Sequence, residues 1–202
     1  MREPTDRSAP PVPLTAGEVV AAAGVLARAL VDDPGWLHVF PDDATRLARL
    51  TVFLERVVDR AYVHLGASRH LPGRAVAVWA PPGAHDLPAA TMLRLAPRAM
   101  WLVGRRLPAA LRMFRAMSAG TPREPHHYLA ILGVDPAHQG QGLGVALLAP
   151  TLAVCDDTRT LAWLESTNPR NHGFYRRLGF ELAQATPIPG GPTISFFARQ
   201  PR

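Results

Sequence analysis

The 202-residue chain contains no lysine; all 22 of its basic residues are arginine. That absence excludes a phosphate loop ending in GK[ST], Schiff-base chemistry on a lysine amine, and a kinase-type strand lysine. A single cysteine, Cys155, excludes an internal disulfide and a multi-cysteine zinc site. Apolar runs are broken by Arg or Pro well short of the roughly 20 residues that cross a bilayer. No charged-then-apolar leader follows Met1, so the expected compartment is the cytoplasm. Asparagine occurs only at positions 168 and 171.

What is present suits one globular domain over residues 1–202, with residues 1–10 as a polar, Pro-rich, flexible tail. The net charge of +6 is unevenly placed: residues 87–123 hold seven arginines and no Asp or Glu, leaving the rest of the chain close to neutral. No RNP, zinc-finger or heptad pattern accompanies this charge, so nucleic acid is not an expected partner.

Thr15 and Glu18 have capping-box spacing ahead of a helix over residues 19–31. Asp32-Asp33-Pro34-Gly35 ends that helix, and a loop carrying Trp36, His38 and Phe40 is expected after it. Asp42 and Asp43 precede an amphipathic helix with Leu47, Leu50, Phe53, Leu54, Val57, Val58 and Ala61 at helical spacing. Residues 74–80 read as a strand, and the basic segment as two or three short helices punctuated by Pro97 and Pro108. Beyond it lie a buried strand over 128–134, a helix over 142–154, a strand over 161–165 and a short helix over 171–178. A hairpin of 181–188 and 193–199 closes the chain. The fold class is α/β (α+β): a mixed, mostly antiparallel sheet flanked by helices, with a helical insertion over 87–123.

The strand over 128–134 runs into Asp135-Pro136-Ala137-His138-Gln139-Gly140-Gln141-Gly142-Leu143-Gly144, a glycine turn that opens a helix. Unpaired backbone N–H groups and the helix dipole make such a turn a phosphate site. Val145 stands where a dinucleotide fingerprint needs its last glycine. The Gln139-x-x-Gly142-x-Gly144 spacing instead resembles the acyl-CoA pyrophosphate loop of the GCN5-related N-acetyltransferases. Glu165-Ser-Thr-Asn168-Pro-Arg-Asn171 and Phe174-Tyr175-Arg-Arg-Leu-Gly179-Phe180 resemble the same family's C-terminal motif, most closely in its puromycin N-acetyltransferase branch. The resemblance implies an acetyl-CoA-dependent enzyme without a metal. It places Gln139, Gly140, Gln141, Gly142, Leu143 and Gly144 on the pyrophosphate, Leu132, Gly133 and Val134 along the thioester, and Asn168, Asn171 and Tyr175 beside the cofactor arm.

Acetyl transfer to an amine needs a neutral nitrogen, a polarised carbonyl and a proton for the departing thiolate. Tyr175 matches the family's proton donor. Glu165 follows the apolar run 161–164, where partial burial raises a carboxyl pKa toward a base's useful range, and a salt bridge to arginine is the competing expectation. Rival chemistry has little support: neither GxSxG nor HExxH occurs, and adjacent His126 and His127 point to opposite faces of an extended segment. Cys155 lies on an apolar helical face and is expected to be inert.

A cationic acceptor calls for carboxylates and an aromatic wall. Asp32, Asp33, Trp36 and His38, with Glu165, are the candidate substrate-binding residues. Asp33 stands where the puromycin enzyme has a tyrosine, which argues against puromycin itself. The leading expectation is a small-molecule amine N-acetyltransferase, acting on an antibiotic or other natural product, as a monomer or homodimer. A protein or peptide acetyltransferase, a non-catalytic acyl-CoA sensor and a peripheral membrane protein, with Trp101 and Met100 facing lipid, remain open.

Overall fold

A computed structural model describes residues 10–84 and 89–202. Nearly all of the expected flexible tail, and positions 87 and 88 of the basic segment, lie outside the described residues. A seven-stranded sheet of order β1-β2-β3-β4-β5-β7-β6 organises the rest. Its strands are β1 (Val12–Pro13), β2 (Arg69–Leu71), β3 (Ala75–Ala80), β4 (His126–Val134), β5 (Leu161–Ser166), β6 (Glu181–Pro187) and β7 (Thr193–Arg199). Only β4 and β5 are parallel; every other neighbouring pair is antiparallel.

Each face of the sheet carries its own core. On one, α1 (Val19–Leu30) and α3 (Asp43–Val57) pack with Val76, Val78, Trp163, Ile194 and Phe196. On the other, α6 (Leu143–Asp157) and α7 (His172–Arg177) cover Ala77, Trp79, Leu129, Leu164 and Phe197. Period-2 alternation along the strands assigns side chains to the two cores, so a break in it marks a change in the backbone.

Such a break occurs in β4. Leu129 packs on the α6 side, whereas Ala130 and Ile131, consecutive in sequence, both pack on the α1 side. The pairing with β3 explains this: Val78 faces Ile131 and Trp79 faces Leu129, so Ala130 is the extra residue of a β-bulge. Past the bulge β4 is held by α1, which lies so close that a Cβ on Gly133 would sit 2.9 Å from a Leu26 methyl.

The Thr15–Glu18 capping box forms, with Thr15 N donating to Glu18 Oε2 at 3.0 Å, and leads through a 3₁₀ turn into α1. Asp42 caps α3 through Ala44 N, and the helix continues in a π-turn over Val58–Tyr62. Three local expectations need correction. The segment after α1 is not a loop but a helix, α2 (Pro34–Val39), because Pro34 ends α1 yet suits the first turn of the next helix, which Asp33 caps. Strand β2 was not expected, being short and without alternating apolar residues; it pairs with β3. Pro97 does not interrupt α4 (Ala89–Val103), where its i−4 neighbour, Leu93, is solvent-exposed and the unpaired carbonyl can be hydrated. Pro108 does open α5 (Leu107–Gly120).

The basic connection between β3 and β4 thus forms two helices joined by a 3₁₀ turn at Gly104–Arg106. It docks on the α1 face, and its last residue there, Gly120, lies directly on the Phe196 ring. A Cβ at this position would overlap the ring, which is wholly buried and has nowhere to go. Gly120→Ala should therefore lower stability by about 1–3 kcal/mol in denaturant titration, as overpacking does; an unchanged midpoint would contradict this packing.

Candidate active site

Pairing between β4 and β5 runs from His126–Leu161 to Leu129–Leu164 and ends there. β4 continues for five residues to Val134 and β5 for two to Ser166, so the strands part next to the bulge, and the backbone groups of 130–134 on that side have no strand partner. Leu132, Gly133 and Val134 form one wall of the opening and Glu165 the other.

At the far end of β4, Arg28 Nε donates to Asp135 Oδ2 at 2.7 Å, and Asp135 Oδ1 accepts from Ala137 N at 3.0 Å. The Arg28 guanidinium holds the Asp135 carboxyl below its ordinary pKa. This anchored turn leads into Gln139, Gly140, Gln141 and Gly142, all exposed. Gly140 and Gly142 have φ of 75° and 78°, a region that favours glycine, and open space surrounds both. Gly142 caps α6, whose first i−4 bond is Ala146 N to Gly142 O, so the amides of Leu143, Gly144 and Val145 point out of the helix end. Gly144 lets the Phe174 ring approach: a Cβ there would lie 3.1 Å from it. The turn is thus a cradle of free N–H groups with room for a phosphate group.

Glu165 faces the α1 side, as Trp163 does. Tyr128 donates its hydroxyl to Glu165 Oε1, while Oε2 is shielded from solvent and has no hydrogen-bond partner. Burial pushes the Glu165 carboxyl up to about 7, outweighing the opposing effect of the Tyr128 bond. The competing expectation, a salt bridge to arginine, is not realised among the described residues.

The chain has three tyrosines, Tyr62, Tyr128 and Tyr175, and all three lie within electrostatic reach of Glu165. Burial first, and nearby carboxylates second, raise each phenol well above its ordinary value and keep it protonated. Tyr175 comes from α7 on the opposite core, where its ring packs against Phe174, Phe180 and Phe197, and it feels the charges of Asp33 and Glu165. Sequence reasoning singled out Tyr175 but missed Tyr62 and Tyr128; the scarcity of tyrosine was the available signal.

Asp33 is partly buried at the N-terminus of α2. Its Oδ1 accepts from Thr167 Oγ1 at 2.5 Å and from Gly35 N at 2.9 Å, which ties α2 to the end of β5. Burial raises its pKa against these bonds. Asp32 is exposed. Trp36 stacks at 6.2 Å on Phe40 and meets Phe53 edge-on at 5.4 Å, an aromatic cluster that Phe114 of α5 joins. His38 is buried away from this group, between Arg106, which donates to its carbonyl at 2.8 Å, and Gly191, where a Cβ would lie 2.8 Å from the ring. Asn168, not Asn171, makes the side-chain cap, accepting from Arg170 N at 3.1 Å; Asn171 makes no capping bond. Cys155 is buried and its thiol pushed up to about 11 by that burial. Among the described residues no cluster of three metal-ligating side chains occurs, and no helix is long and apolar enough to cross a membrane.

Residues 95–180, from α4 through the glycine turn, Glu165 and Tyr175 to Phe180, match the family model described as Acetyltransferase (GNAT) family. The fold is similar to that of the histone acetyltransferase HPA2 and related acetyltransferase from Corynebacterium glutamicum. That match has 23% identity and a TM-score of 0.71 and covers 96% of this chain and 98% of that one. It is also similar to the Drosophila melanogaster polyamine N-acetyltransferase (18% identity, TM-score 0.60, covering 94% and 98%). The arylalkylamine N-acetyltransferase 2 of Aedes aegypti gives 10% identity and a TM-score of 0.62, covering 95% and 98%.

The placement of Glu165 has a direct spectroscopic consequence. Infrared difference spectra should show a protonated carboxyl band that halves near pH 7 and is missing in Glu165→Gln. Tyr128→Phe removes a bond that favours the carboxylate and should move that midpoint upward. A Glu165 group fully ionised at pH 5 would contradict burial as the dominant influence.

Proposed function

We propose that the chain, whose residues 95–180 match the GNAT acetyltransferase family model, is an enzyme of that superfamily that moves the acetyl group of acetyl-CoA to a primary amine of a small molecule by direct attack on the thioester. The observation that carries this reading is the unpartnered Oε2 of Glu165, held where β4 and β5 stop pairing.

The glycine turn suits the pyrophosphate: Gly140 and Gly142 leave room above a backbone whose N–H groups are free, and the start of α6 adds its dipole. By the resemblance Asn168 and Asn171 stand beside the cofactor arm, and Asn171, which makes no capping bond, is available to the pantetheine. The thioester supplies the activated acetyl group. Glu165 Oε2 receives the ammonium of the acceptor and takes its proton, leaving a neutral nitrogen; a carboxyl pKa near 7 suits that exchange at neutral pH. The nitrogen then bonds to the carbonyl carbon, while unpaired backbone N–H groups of β4 between Leu132 and Val134 stabilise the negative charge on oxygen. Collapse of that intermediate breaks the carbon–sulfur bond; Tyr175, kept as a phenol by burial, gives its proton to the departing thiolate, and the second proton that the nitrogen loses on becoming an amide restores the phenol through solvent. Asp33, which caps α2 beside the end of β5, and Trp36 border the acceptor's approach; Asp32 is exposed nearby, and buried His38 supports α2 from behind.

Thiol release from acetyl-CoA that depends on an added amine tests this function. Tyr175→Phe should lower kcat by about 10²-fold or more, the range of a lost general acid, while the Kd for acetyl-CoA stays within about twofold of the parent. Equal activity in this variant would remove Tyr175 as the proton donor.

A further inference from the structure

We infer that α4 docks this protein on an anionic lipid surface, with Leu93, Met100 and Trp101 entering the headgroup boundary and the arginines beside them meeting lipid phosphates. The docking is independent of the proposed reaction, which assigns no residue to this helix.

Helix α4 has two apolar sides, and the protein core uses one. Ala99, Leu102 and Val103 turn inward and pack on the α1 face of the sheet. Leu93, Met100 and Trp101 are instead 76%, 50% and 69% exposed. Spacings of seven and eight residues put them on one side of the helix, with exposed Pro97 between them. Single exposed apolar residues are ordinary on a folded protein, but a line of them that includes a tryptophan marks an interaction surface.

The charge around this line selects its partner. The Arg98 guanidinium lies 4.5 Å over the Trp101 ring, and exposed Arg105 follows one turn after Trp101. A cleft of about 330 Å³ beside Trp101 adds Arg49, and the one carboxylate in its lining, Asp42, already accepts from Ala44 N and the Thr45 hydroxyl. No ion pair engages Arg49, Arg98 or Arg105 among the described residues. Residues 87–123 contain no Asp or Glu, so nothing along α4 or α5 repels an anionic surface. A second copy of the chain, meeting this face about a two-fold axis, would set the same arginines against one another. Lipid phosphates neutralise them instead. An apolar line, a tryptophan with a wet N–H and flanking arginines are the parts of a helix that lies in the membrane interface. The inner side of α4 stays with the core, and no described helix is long and apolar enough to cross a bilayer, so the docking is shallow and reversible.

Cosedimentation of the full chain with vesicles tests this, using phosphatidylcholine alone and phosphatidylcholine mixed with phosphatidylserine. At low salt the partition coefficient should be about tenfold or more higher on the mixed vesicles, and should fall as salt is raised. Of the four tryptophans Trp101 alone is exposed, so its emission should shift to the blue on binding and be quenched by lipids brominated in the acyl chain. Met100→Ser combined with Trp101→Ser should weaken binding about tenfold or more. Arg98→Glu should weaken it about fivefold or more. Arg177→Glu, the same charge change on α7 across the sheet, should leave it within about twofold. Sedimentation with neither vesicle, or equally with both, overturns the inference. So does binding that survives loss of Met100 and Trp101, or that falls as far with Arg177→Glu as with Arg98→Glu. A dimer in solution that the Met100→Ser, Trp101→Ser variant dissociates would place a second copy on this face and also overturn it.

Discussion

Where two parallel strands stop pairing decides the chemistry available to this molecule. β4 and β5 separate after Leu129 and Leu164 because Ala130 is an extra residue in β4, and the bulge turns the strand away from its neighbour. Unpaired backbone groups in a sheet are costly unless something uses them. The remainder of β4 is therefore held from other directions: by β3 along its full edge, by α1 against Gly133, and by the Arg28–Asp135 pair at its end. Helices α7 and α2 lie on opposite faces of the sheet here: Tyr175 feels the charge of Glu165, and Asp33 binds Thr167, two residues beyond it.

Glu165 shows what that arrangement costs. Its carboxyl is raised to about 7 in the folded state, against about 4.3 in an unfolded chain. Between those values the folded protein binds the extra proton, so this residue's contribution to stability falls as pH rises through that window. Tyr128 limits the cost by donating to Oε1, and the neutral phenols of Tyr62 and Tyr175 add no charge of their own. The sheet thus keeps at its centre a carboxyl that takes up or releases a proton easily at neutral pH, which is a poor choice for stability alone and a useful one for proton transfer.

Much of the fold was legible because its signals are local. The capping box at Thr15, the apolar runs of β4 and β5, the glycine turn before α6 and the hairpin around Gly190 each declare themselves within about ten residues. The Asp33-Pro34 junction misled because one proline both ends α1 and begins α2. Within the site, Glu165 and Tyr175 stood in a recognisable motif, whereas Tyr62 and Tyr128 reach Glu165 only through tertiary packing, 103 and 37 residues away in sequence. The concentration of arginine was plain from composition. That its helices dock on the α1 face through Gly120 on Phe196 and Arg106 on His38 depends on contacts that no spacing encodes.

The central claim is that one buried carboxyl, held between protonated and ionised at neutral pH, accepts the acceptor's proton. The pH dependence of kcat/KM for acetyl transfer to an amine that the enzyme turns over tests it most directly. The account predicts a limb rising with pH through an inflection near 7 that is lost in Glu165→Gln, leaving a much slower reaction without that inflection. An unaltered inflection and rate in the Glu165→Gln enzyme would contradict it.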